Sequence, residues 1–547
     1  MNGPARPRPS SAALCLILGL VVISTARSLG NGFAFDDVPI VAENSQIHVL
    51  AAPWVYAGQS YWPPDNLGDA YRPWTIWWFA IQWGLGGGAP WIFHLGNLIL
   101  TAALTTAVYL LGLELLPPVG AIAAAALFAV HPVHVEATGN VVGQAELWMT
   151  LFSVVAALVY LRARRRDTLG AGTRIALGIL MVLAAASKEQ GIVLPGILLL
   201  IEGLAPRLEA GVRRRAVATT FIVLAVVAVG FLAGRYAVLG DLGGGPPAAG
   251  LEGQSLGGRA LIMLPIVADW ARLLIWPAAL SAQYSPPATG SSAGVTLAII
   301  GAATLAGAAL LAWWSRRRYW VITLGLAWMA LAVLPVSNVL FPTGVLIAER
   351  TLLLPSVGIV LAAGALFAHV GLEARPRWIA LGGMASLLIL GAARSYSRQA
   401  VWRDNPTLFA QTIIDQPGGY RGYFVSGREF ARRGDSIRAA AMYRQAAERY
   451  ASDYRVFEEW GQILRAANHC DAAIPIFERG LRAYEDGTVT RSRLFECFLT
   501  LGRIDEAVKV AEAGVARGLP EFKKSVERAN ARRAPAPEAS NPKDRPR

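Results

Sequence analysis

Hydrophobic residues in this chain are gathered into long blocks rather than spaced at short intervals. Eleven blocks have the roughly 15–25 residues that a helix needs to cross a hydrocarbon core about 30 Å thick. Two further apolar stretches, near 73–85 and 260–280, are ambiguous, because the second contains Asp269 and Arg272 and charge within a span is costly. The predicted spans lie near 11–29, 91–113, 119–133, 146–162, 174–187, 190–204, 216–238, 293–313, 319–340, 346–369 and 377–393.

Basic residues indicate which side of these spans faces the cytoplasm. Lys and Arg number 50 against 37 Asp and Glu, a formal net charge of +13, which by itself would suit nucleic acid. With eleven spans every basic cluster falls on the cytoplasmic side, so the N-terminus is predicted inside and the C-terminus outside. The ambiguous stretches are then interfacial or re-entrant helices on the outer side, since one extra crossing would reverse the parity. The clusters are Arg6 and Arg8; Arg162, Arg164, Arg165 and Arg166; Arg213, Arg214 and Arg215; Arg316, Arg317 and Arg318; and Arg375 and Arg377.

Composition agrees with a membrane protein. Hydrophobic residues make up 54% of the 547 and charged residues 16%, against roughly 45–50% and 25% in soluble domains. The first apolar block has an alternative interpretation as a signal peptide cleaved after Ser24-Thr25-Ala26, which leaves the downstream orientation unchanged. The three cysteines give no disulfide framework and no CxxC pair, which excludes a zinc ribbon or finger.

The C-terminal third is polar and repetitive. After a predicted linker at 394–419, a 34-residue period aligns Gly427 with Gly461 and places Gly434, Asn468 and Gly502 in equivalent turns. This length is typical of tetratricopeptide repeats, which predicts three units near 420–453, 454–487 and 488–521. Such a solenoid holds a peptide or partner protein, or alternatively serves as a rigid spacer or dimer contact. The tail at 522–547 is predicted to be disordered.

The outer loop at 31–89 has an acidic and aromatic composition. Its aromatic rings suit the membrane interface, or alternatively stacking on sugar. Asp36 and Asp37, in FAFDDVPI, could act as a general base and its neighbour, although such a pair is also common in solvated turns.

Further ionisable residues stand at the outer ends of predicted spans, where they are functional candidates by default. Lys188 and Arg350 suit a phosphate or pyrophosphate. His131 and His134 could bind a metal, but Pro132 interrupts them and a structural hydrogen-bonding role is the alternative. Together with the acid pair, these residues predict transfer from a lipid-bound phosphate donor. The other outer-side candidates are Arg72, Glu136, Glu146, Glu189 and Glu349.

The chain resembles the transmembrane and tetratricopeptide-repeat-containing O-mannosyltransferases, the TMTC family, to about residue 521. The resemblance lies in FAFDDVPIVAENSQIH, FAVHPVHVEATGNVVGQAEL, SKEQGIVL, WPAALSAQYS, LPVSNVLFPTGVLIAERTLLLPSVG and RSYSRQAVWRDNPTLF, with HPVHVEA, SKEQG and IAER the most specific pieces. It implies an inverting, many-pass GT-C glycosyltransferase that uses a polyprenyl-phosphate sugar. It further implies Asp36 as general base and Asp37 beside it in the acceptor site. Lys188, Arg350, His131 and His134 are expected near the donor phosphate.

The predicted protein is therefore all-α, with a GT-C-like membrane domain at 1–393 followed by a repeat solenoid. The expected activity is transfer of a sugar, by resemblance mannose, to a serine or threonine hydroxyl of a protein bound by the repeats. A divalent cation is possible, although no convincing metal ligand set is present, and nucleic acid is not an expected partner. The Ala- and Arg-rich, Lys-poor composition suggests a bacterial inner membrane with the repeats in the periplasm, or the endoplasmic reticulum if eukaryotic. The alternatives are a GT-C transferase acting on glycan or lipid, and a non-catalytic membrane-anchored scaffold.

Overall fold

A computed structural model describes residues 9–63, 70–205, 214–242, 247–286, 292–373 and 377–533. Across these residues every regular element is a helix, which confirms the all-α prediction. The chain divides into two compact units, Met1–Asp415 and Gln416–Arg547. Arg6, Arg8, Arg213 and Arg375, as well as the segment 534–547, lie outside the described residues.

Each of the eleven predicted spans coincides with one helix of the first unit, and the two ambiguous stretches coincide with α3 and α11. The helices of this unit are α1 (Ser11–Thr25), α2 (Pro53–Ala57), α3 (Pro73–Gly86), α4 (Pro90–Leu115), α5 (Pro118–Val130), α6 (Val135–Gly139), α7 (Gln144–Arg165), α8 (Ala171–Ser187), α9 (Leu194–Leu204), α10 (Arg214–Leu239), α11 (Leu256–Ile275), α12 (Ser292–Ser315), α13 (Trp320–Val333), α14 (Leu353–Glu373), α15 (Arg377–Gln399) and α16 (Asn405–Asp415).

Several of these helices can cross a membrane. By length and composition seven described helices qualify, those containing α1, α4, α7, α10, α12, α14 and α15. An eighth span results if α5 and the following segment Pro132–Gly139, bent by 47°, are taken together. The helices α8 and α13 are apolar but shorter, and α9 has 11 residues, so their crossings stay predictions.

The core of the first unit lies between α4, α5, α7, α8, α9, α13 and α14. Close packing there depends on small residues: a Cβ added at Gly325 of α13 would lie 2.2 Å from the carbonyl oxygen of Gly358 of α14. Such small-residue contacts are typical of membrane helix pairs, where backbones approach closely. They fix α14, and with it the short turn Glu349–Leu352 that precedes it.

The predicted linker at 394–419 is largely helical and belongs to the first unit up to Asp415. The helix α15 continues to Gln399, a short turn follows at Ala400–Trp402, and α16 ends the unit. Arg398 forms a 2.7 Å ion pair with Asp415, and Trp402 is buried. These contacts hold the segment in place, which its polar composition alone did not indicate.

The second unit consists of helical hairpins with the predicted spacing. Its helices are α17 (Arg421–Arg432), α18 (Ser436–Arg449), α19 (Tyr454–Ala466), α20 (Cys470–Ala483), α21 (Thr488–Thr500), α22 (Ile504–Ala516) and α23 (Phe522–Arg533). Gly434, Asn468 and Gly502 have φ values of 78°, 61° and 71°, the left-handed conformation of a tight turn between paired helices. A Cβ at Gly427 would lie 2.8 Å from the Tyr443 ring, so a small residue is required there.

The predicted disordered tail was wrong for its first part. Residues Phe522–Arg533 form α23, and Phe522 and Ala529 are buried against the third hairpin. A solenoid leaves an apolar face at its end, and a terminal helix with a polar outer face covers it.

Two of the three cysteines are also paired, which corrects the expectation of no disulfide. Cys470 at the start of α20 and Cys497 in α21 form a disulfide that joins consecutive repeats. Cys470 lies in the second helix of one repeat and Cys497 in the first helix of the next, so the packing of consecutive helices brings the two together. Cys15 is free and exposed.

Substituting Cys470 with serine should lower the stability of the second unit by about 2–4 kcal/mol, because the crosslink restricts the unfolded chain. Differential scanning fluorimetry of the full chain, with and without reductant, measures this loss. Cys15→Ser is the matched control and should leave the unfolding temperature unchanged. Equal unfolding of wild type in oxidising and reducing buffer would contradict the prediction.

Candidate active site

The loop that follows α1 holds the acid pair, and its two members have different surroundings. Asp37 is fully buried and accepts backbone N–H groups from Ala34, Val141 and Val142 at 3.3, 3.1 and 2.8 Å. Burial raises the pKa of this carboxyl to about 7, although the three backbone donors lower it. Because its oxygens are occupied, Asp37 anchors the loop to the segment before α7.

Asp36 is the accessible member of the pair. Its side chain is 15% exposed, and Oδ2 lies 3.0 Å from a terminal nitrogen of Arg350. These two residues are 314 positions apart in the chain. The structure therefore joins the candidate base in the loop after α1 to the turn before α14.

Arg350 is the centre of a cluster of carboxylates that lie near the ends of several helices. Its guanidinium lies 3.2 Å from Glu136 and 3.4 Å from Glu146, and its backbone N–H donates to Glu136 at 3.0 Å. Glu146 also forms an ion pair with Lys188. Five of the predicted site residues are thus brought together: Asp36, Glu136, Glu146, Lys188 and Arg350.

A cavity of about 340 Å³ lies next to this cluster, and Lys188 and Arg350 form part of its wall. One part of its wall is cationic, and the larger part is apolar and comes from α10, α11 and the segment after α13. The charged lining residues are Arg72, Lys188, Glu189, Arg235 and Arg350. The apolar lining residues are Ala70, Ile192, Phe231, Leu232, Leu242, Trp270, Pro335, Val336, Phe341, Pro342, Val345, Leu346 and Ala348.

Glu189 organises the remaining cationic residues of the cavity. It contacts Arg72 at 3.0 Å and Arg235 at 3.4 Å, and it accepts the backbone N–H of Tyr71 at 2.8 Å. Burial opposes ionisation of Glu189, but Arg72, backbone N–H groups and Arg235 hold its pKa below its usual value. Arg72 also lies 4.7 Å from the centre of the Tyr61 ring.

Arg235 is a cavity residue that the sequence analysis missed. It is buried near the C-terminal end of α10, an otherwise strongly apolar helix. An arginine at this end, which the sequence predicts to face outward, departs from the positive-inside pattern, and this signal could have identified it.

Three predicted site residues are directed elsewhere. Nε2 of His131 lies 3.0 Å from the carbonyl oxygen of Leu274, and the two ring nitrogens of His134 lie 3.0 Å from the Phe128 carbonyl and 2.8 Å from the Ser356 hydroxyl. These contacts fit the structural alternative better than donor binding, and neither histidine lines the cavity.

Glu349 likewise faces away from the cavity. It accepts the Tyr284 hydroxyl at 2.5 Å and the Ser281 backbone N–H at 2.6 Å. Its position therefore connects the loop after α11 to the turn that carries Arg350.

Among the described residues, no group of three or more His, Cys, Asp or Glu side chains is arranged to hold a metal ion. Asp36 contacts Arg350, and Glu146 contacts Lys188. A divalent cation at the acid pair stays a prediction.

Two solved structures share a distant similarity of structure with this chain. The archaeal oligosaccharyltransferase AglB from Archaeoglobus fulgidus, in complex with an inhibitory peptide and a dolichol-phosphate, covers 72% of this chain and 56% of its own at a TM-score of 0.42 and 15% identity. The match to ArnT from Cupriavidus metallidurans, bound to undecaprenyl phosphate, covers 92% of this chain and 80% of the ArnT chain, at a TM-score of 0.39 and 14% identity.

Sequence comparison is more informative, although no family model matches the chain. A Caenorhabditis elegans protein O-mannosyl-transferase is 26% identical over 429 residues, 76% of this chain and 59% of that protein. The human protein O-mannosyl-transferase TMTC3 is 26% identical over 440 residues, 73% of this chain and 47% of that protein. The mouse TMTC4 is 28% identical over 495 residues, 78% and 65% respectively.

The chain covers less than two thirds of the length of each of these relatives, so their activity is carried to it only as a proposal. The similarity nevertheless extends over about three quarters of this chain. The resemblance inferred from its motifs is therefore confirmed: this is a membrane protein similar to the TMTC protein O-mannosyltransferases.

Proposed function

We propose that this protein is a glycosyltransferase that moves a sugar, by similarity mannose, from a polyprenyl-phosphate donor to a serine or threonine hydroxyl of a protein. The position of Arg350 is the observation that carries this proposal. Arg350 lines the largely apolar cavity and also lies 3.0 Å from Asp36, so one residue connects this cavity with a candidate base.

The two parts of the cavity wall match the two parts of the donor. A polyprenyl chain would lie along apolar side chains such as Phe231, Leu232 and Trp270. Its phosphate would lie among Arg72, Lys188 and Arg350, which can stabilise the negative charge that develops as the phosphate leaves. Arg235 is the fourth cation at this end.

The reaction is a single displacement at the anomeric carbon of the sugar. The acceptor oxygen forms a bond to that carbon as the bond to the phosphate oxygen breaks, and the configuration inverts. Asp36 accepts the proton of the hydroxyl, which makes the attacking oxygen more nucleophilic. Asp37 fixes the loop rather than exchanging protons, because its oxygens already accept three backbone N–H groups.

The reaction is proposed to take place on the outer side of the membrane, in the periplasm if the chain is bacterial. Basic loops mark the opposite side, and the Cys470–Cys497 disulfide is typical of an oxidising compartment. The repeats would hold the acceptor protein, a role that helical repeat stacks commonly perform.

Reconstitution of the full chain in lipid nanodiscs with polyprenyl-phosphate mannose and a serine-rich acceptor protein tests the proposal. Mass spectrometry should detect one added hexose on a serine or threonine. Transfer only to a glycan or lipid acceptor would favour the first alternative. Capture of an envelope protein through the repeats with no donor consumed would favour the scaffold and refute the enzyme.

Substituting Lys188 with methionine should raise KM for the donor about 10- to 100-fold, since a charge-assisted contact to the phosphate is lost. Titration of the lipid donor at saturating acceptor measures this change. Lys509→Met, an exposed lysine of α22, is the control and should leave KM unchanged. An unchanged donor KM in the Lys188 variant would place the phosphate elsewhere.

A further inference from the structure

The backbone conformation next to Asp36 is unusual. Phe35 has φ of 55°, a left-handed conformation that a bulky side chain seldom adopts and that glycine would accept without strain. Such conformations persist where surrounding contacts impose them, and they are concentrated at functional sites. The contacts that impose this one should therefore determine where Asp36 points.

Those contacts come from one segment at the end of the first unit. The backbone N–H of Phe35 donates to Oδ1 of Asn405 at 2.6 Å, and the Phe35 and Phe409 rings meet edge to face at 6.0 Å. The backbone N–H of Gly32 donates to the carbonyl oxygen of Arg403 at 2.9 Å. Residues 403–409 thus contact the loop at Gly32 and Phe35, before Asp36.

The other end of the loop is fixed independently. Asp37 accepts the backbone N–H groups of Val141 and Val142. Asp36 lies between these two attachments. Oδ1 of Asn405 accepts the N–H of Phe35, the residue directly before Asp36.

Asn405 is not needed to cap the helix that it begins. The neighbouring Asp404 accepts the backbone N–H of Thr407 at 2.9 Å through its side chain and that of Leu408 at 3.0 Å through its carbonyl oxygen. The cap of α16 is therefore supplied by Asp404, which leaves the side chain of Asn405 directed at the loop.

We infer that Asn405 is a positioning residue for the transfer reaction, which holds Phe35 in its left-handed conformation and so aims the Asp36 carboxylate. The effect on sugar transfer rests on the proposed function, whereas the effect on the conformation of Phe35 does not. Loss of the Asn405 contact lets Phe35 relax to an extended or right-handed conformation, which turns Asp36 away from Arg350 and from an acceptor hydroxyl. Substrate affinity is affected little, because residues 403–409 do not line the cavity.

Asn405→Ala in the full chain tests this inference in the nanodisc assay. We expect kcat to fall about 100-fold, as small displacements of a catalytic group commonly cause, with donor KM unchanged. Asn405→Asp keeps an oxygen acceptor at the same place and should recover kcat to within about threefold of wild type. Asp404→Ala, which removes the cap of the same helix, should lower the unfolding temperature but leave kcat within about twofold.

Hydrogen–deuterium exchange of residues 32–38 provides a readout that does not need transfer. Exchange there should accelerate in Asn405→Ala and not in Asp404→Ala. Equal losses of kcat in the two variants, or unchanged exchange in Asn405→Ala, would overturn the inference. If wild type transfers no sugar to any acceptor, the proposed function fails, and the exchange comparison alone then decides whether Asn405 holds the loop.

Discussion

Replacing Asp36 with asparagine should lower kcat for sugar transfer by about 10²- to 10⁴-fold, the contribution usual for a positioned general base. Asparagine has nearly the same shape but cannot accept a proton from the acceptor hydroxyl. The donor KM should stay near the wild-type value, because Asp36 does not line the cavity. Steady-state kinetics with lipid-linked mannose and an acceptor peptide measure both constants.

Folding is expected to survive this substitution. The Asp36 side chain is 15% exposed, and Arg350 keeps its contacts to Glu136 and Glu146. The unfolding temperature in detergent should therefore change little. Full transfer activity in the asparagine variant would exclude Asp36 as the base.

The neighbouring Asp37 provides the matched comparison. Asp37→Asn places an amide N–H₂ against one of the backbone donors Ala34, Val141 and Val142, so a buried donor loses its acceptor. A loss of about 1–3 kcal/mol in stability is expected from an unsatisfied group of this kind. Asp36→Asn should thus lower kcat with little change in stability, whereas Asp37→Asn should lower the free energy of unfolding.

Helices and repeats could be predicted because their signals are local. Apolar blocks matched helices one for one, since span length and lack of charge are read along the chain. The repeat turns at Gly434, Asn468 and Gly502 were likewise identified by spacing and are confirmed by their positive φ. Each of these features depends on residues fewer than about 35 positions apart, one repeat length.

The partners at the site could not be predicted, because they depend on how the span ends pack. Asp36 contacts Arg350 across 314 positions, and Lys188 contacts Glu146 across 42. Motif resemblance indicated which residues belong together but not which one is central. It also drew His131 and His134 into the donor site, although their ring nitrogens are engaged with Leu274, Phe128 and Ser356.

Two segments were predicted wrongly because their polar composition concealed a few apolar side chains that pack against the rest of the fold. Residues 394–419 looked like a polar linker, yet they contain Asn405 and the buried Trp402. The charged residues of α23 suggested disorder, but Phe522 is buried against the last hairpin. In both cases a few apolar side chains within a polar stretch decided the structure.

Replacing Arg350 with methionine should have the largest combined effect, since it removes the one cation shared by Asp36, Glu136 and Glu146. Three carboxylates then lie together at a largely buried position, and Lys188 still pairs with one of them, Glu146. Breaking a buried ion pair on one side typically destabilises by about 3–5 kcal/mol. Chemical unfolding of the purified chain in detergent measures this loss, and sugar transfer should be abolished.

Arg350→Lys distinguishes the contribution of the positive charge from that of the planar guanidinium group. A lysine ammonium is a point charge and cannot span three carboxylates as a planar guanidinium does, so only part of the stability should return. Arg272→Met is the control, because Arg272 pairs with Asp269 at 3.2 Å at a more exposed position. Exposed pairs contribute about 1 kcal/mol or less, so that variant should remain close to wild type.

A second substitution distinguishes electrostatic repulsion from loss of packing. In Arg350→Met, adding Glu136→Gln removes one of the uncompensated charges and should recover part of the stability, with a coupling of about 0.5–3 kcal/mol between the two sites. Activity should not return, because the donor phosphate and Asp36 both still lack Arg350. Strictly additive losses would show that the carboxylates do not depend on Arg350, and the cluster would then not be the link between the cavity and the base.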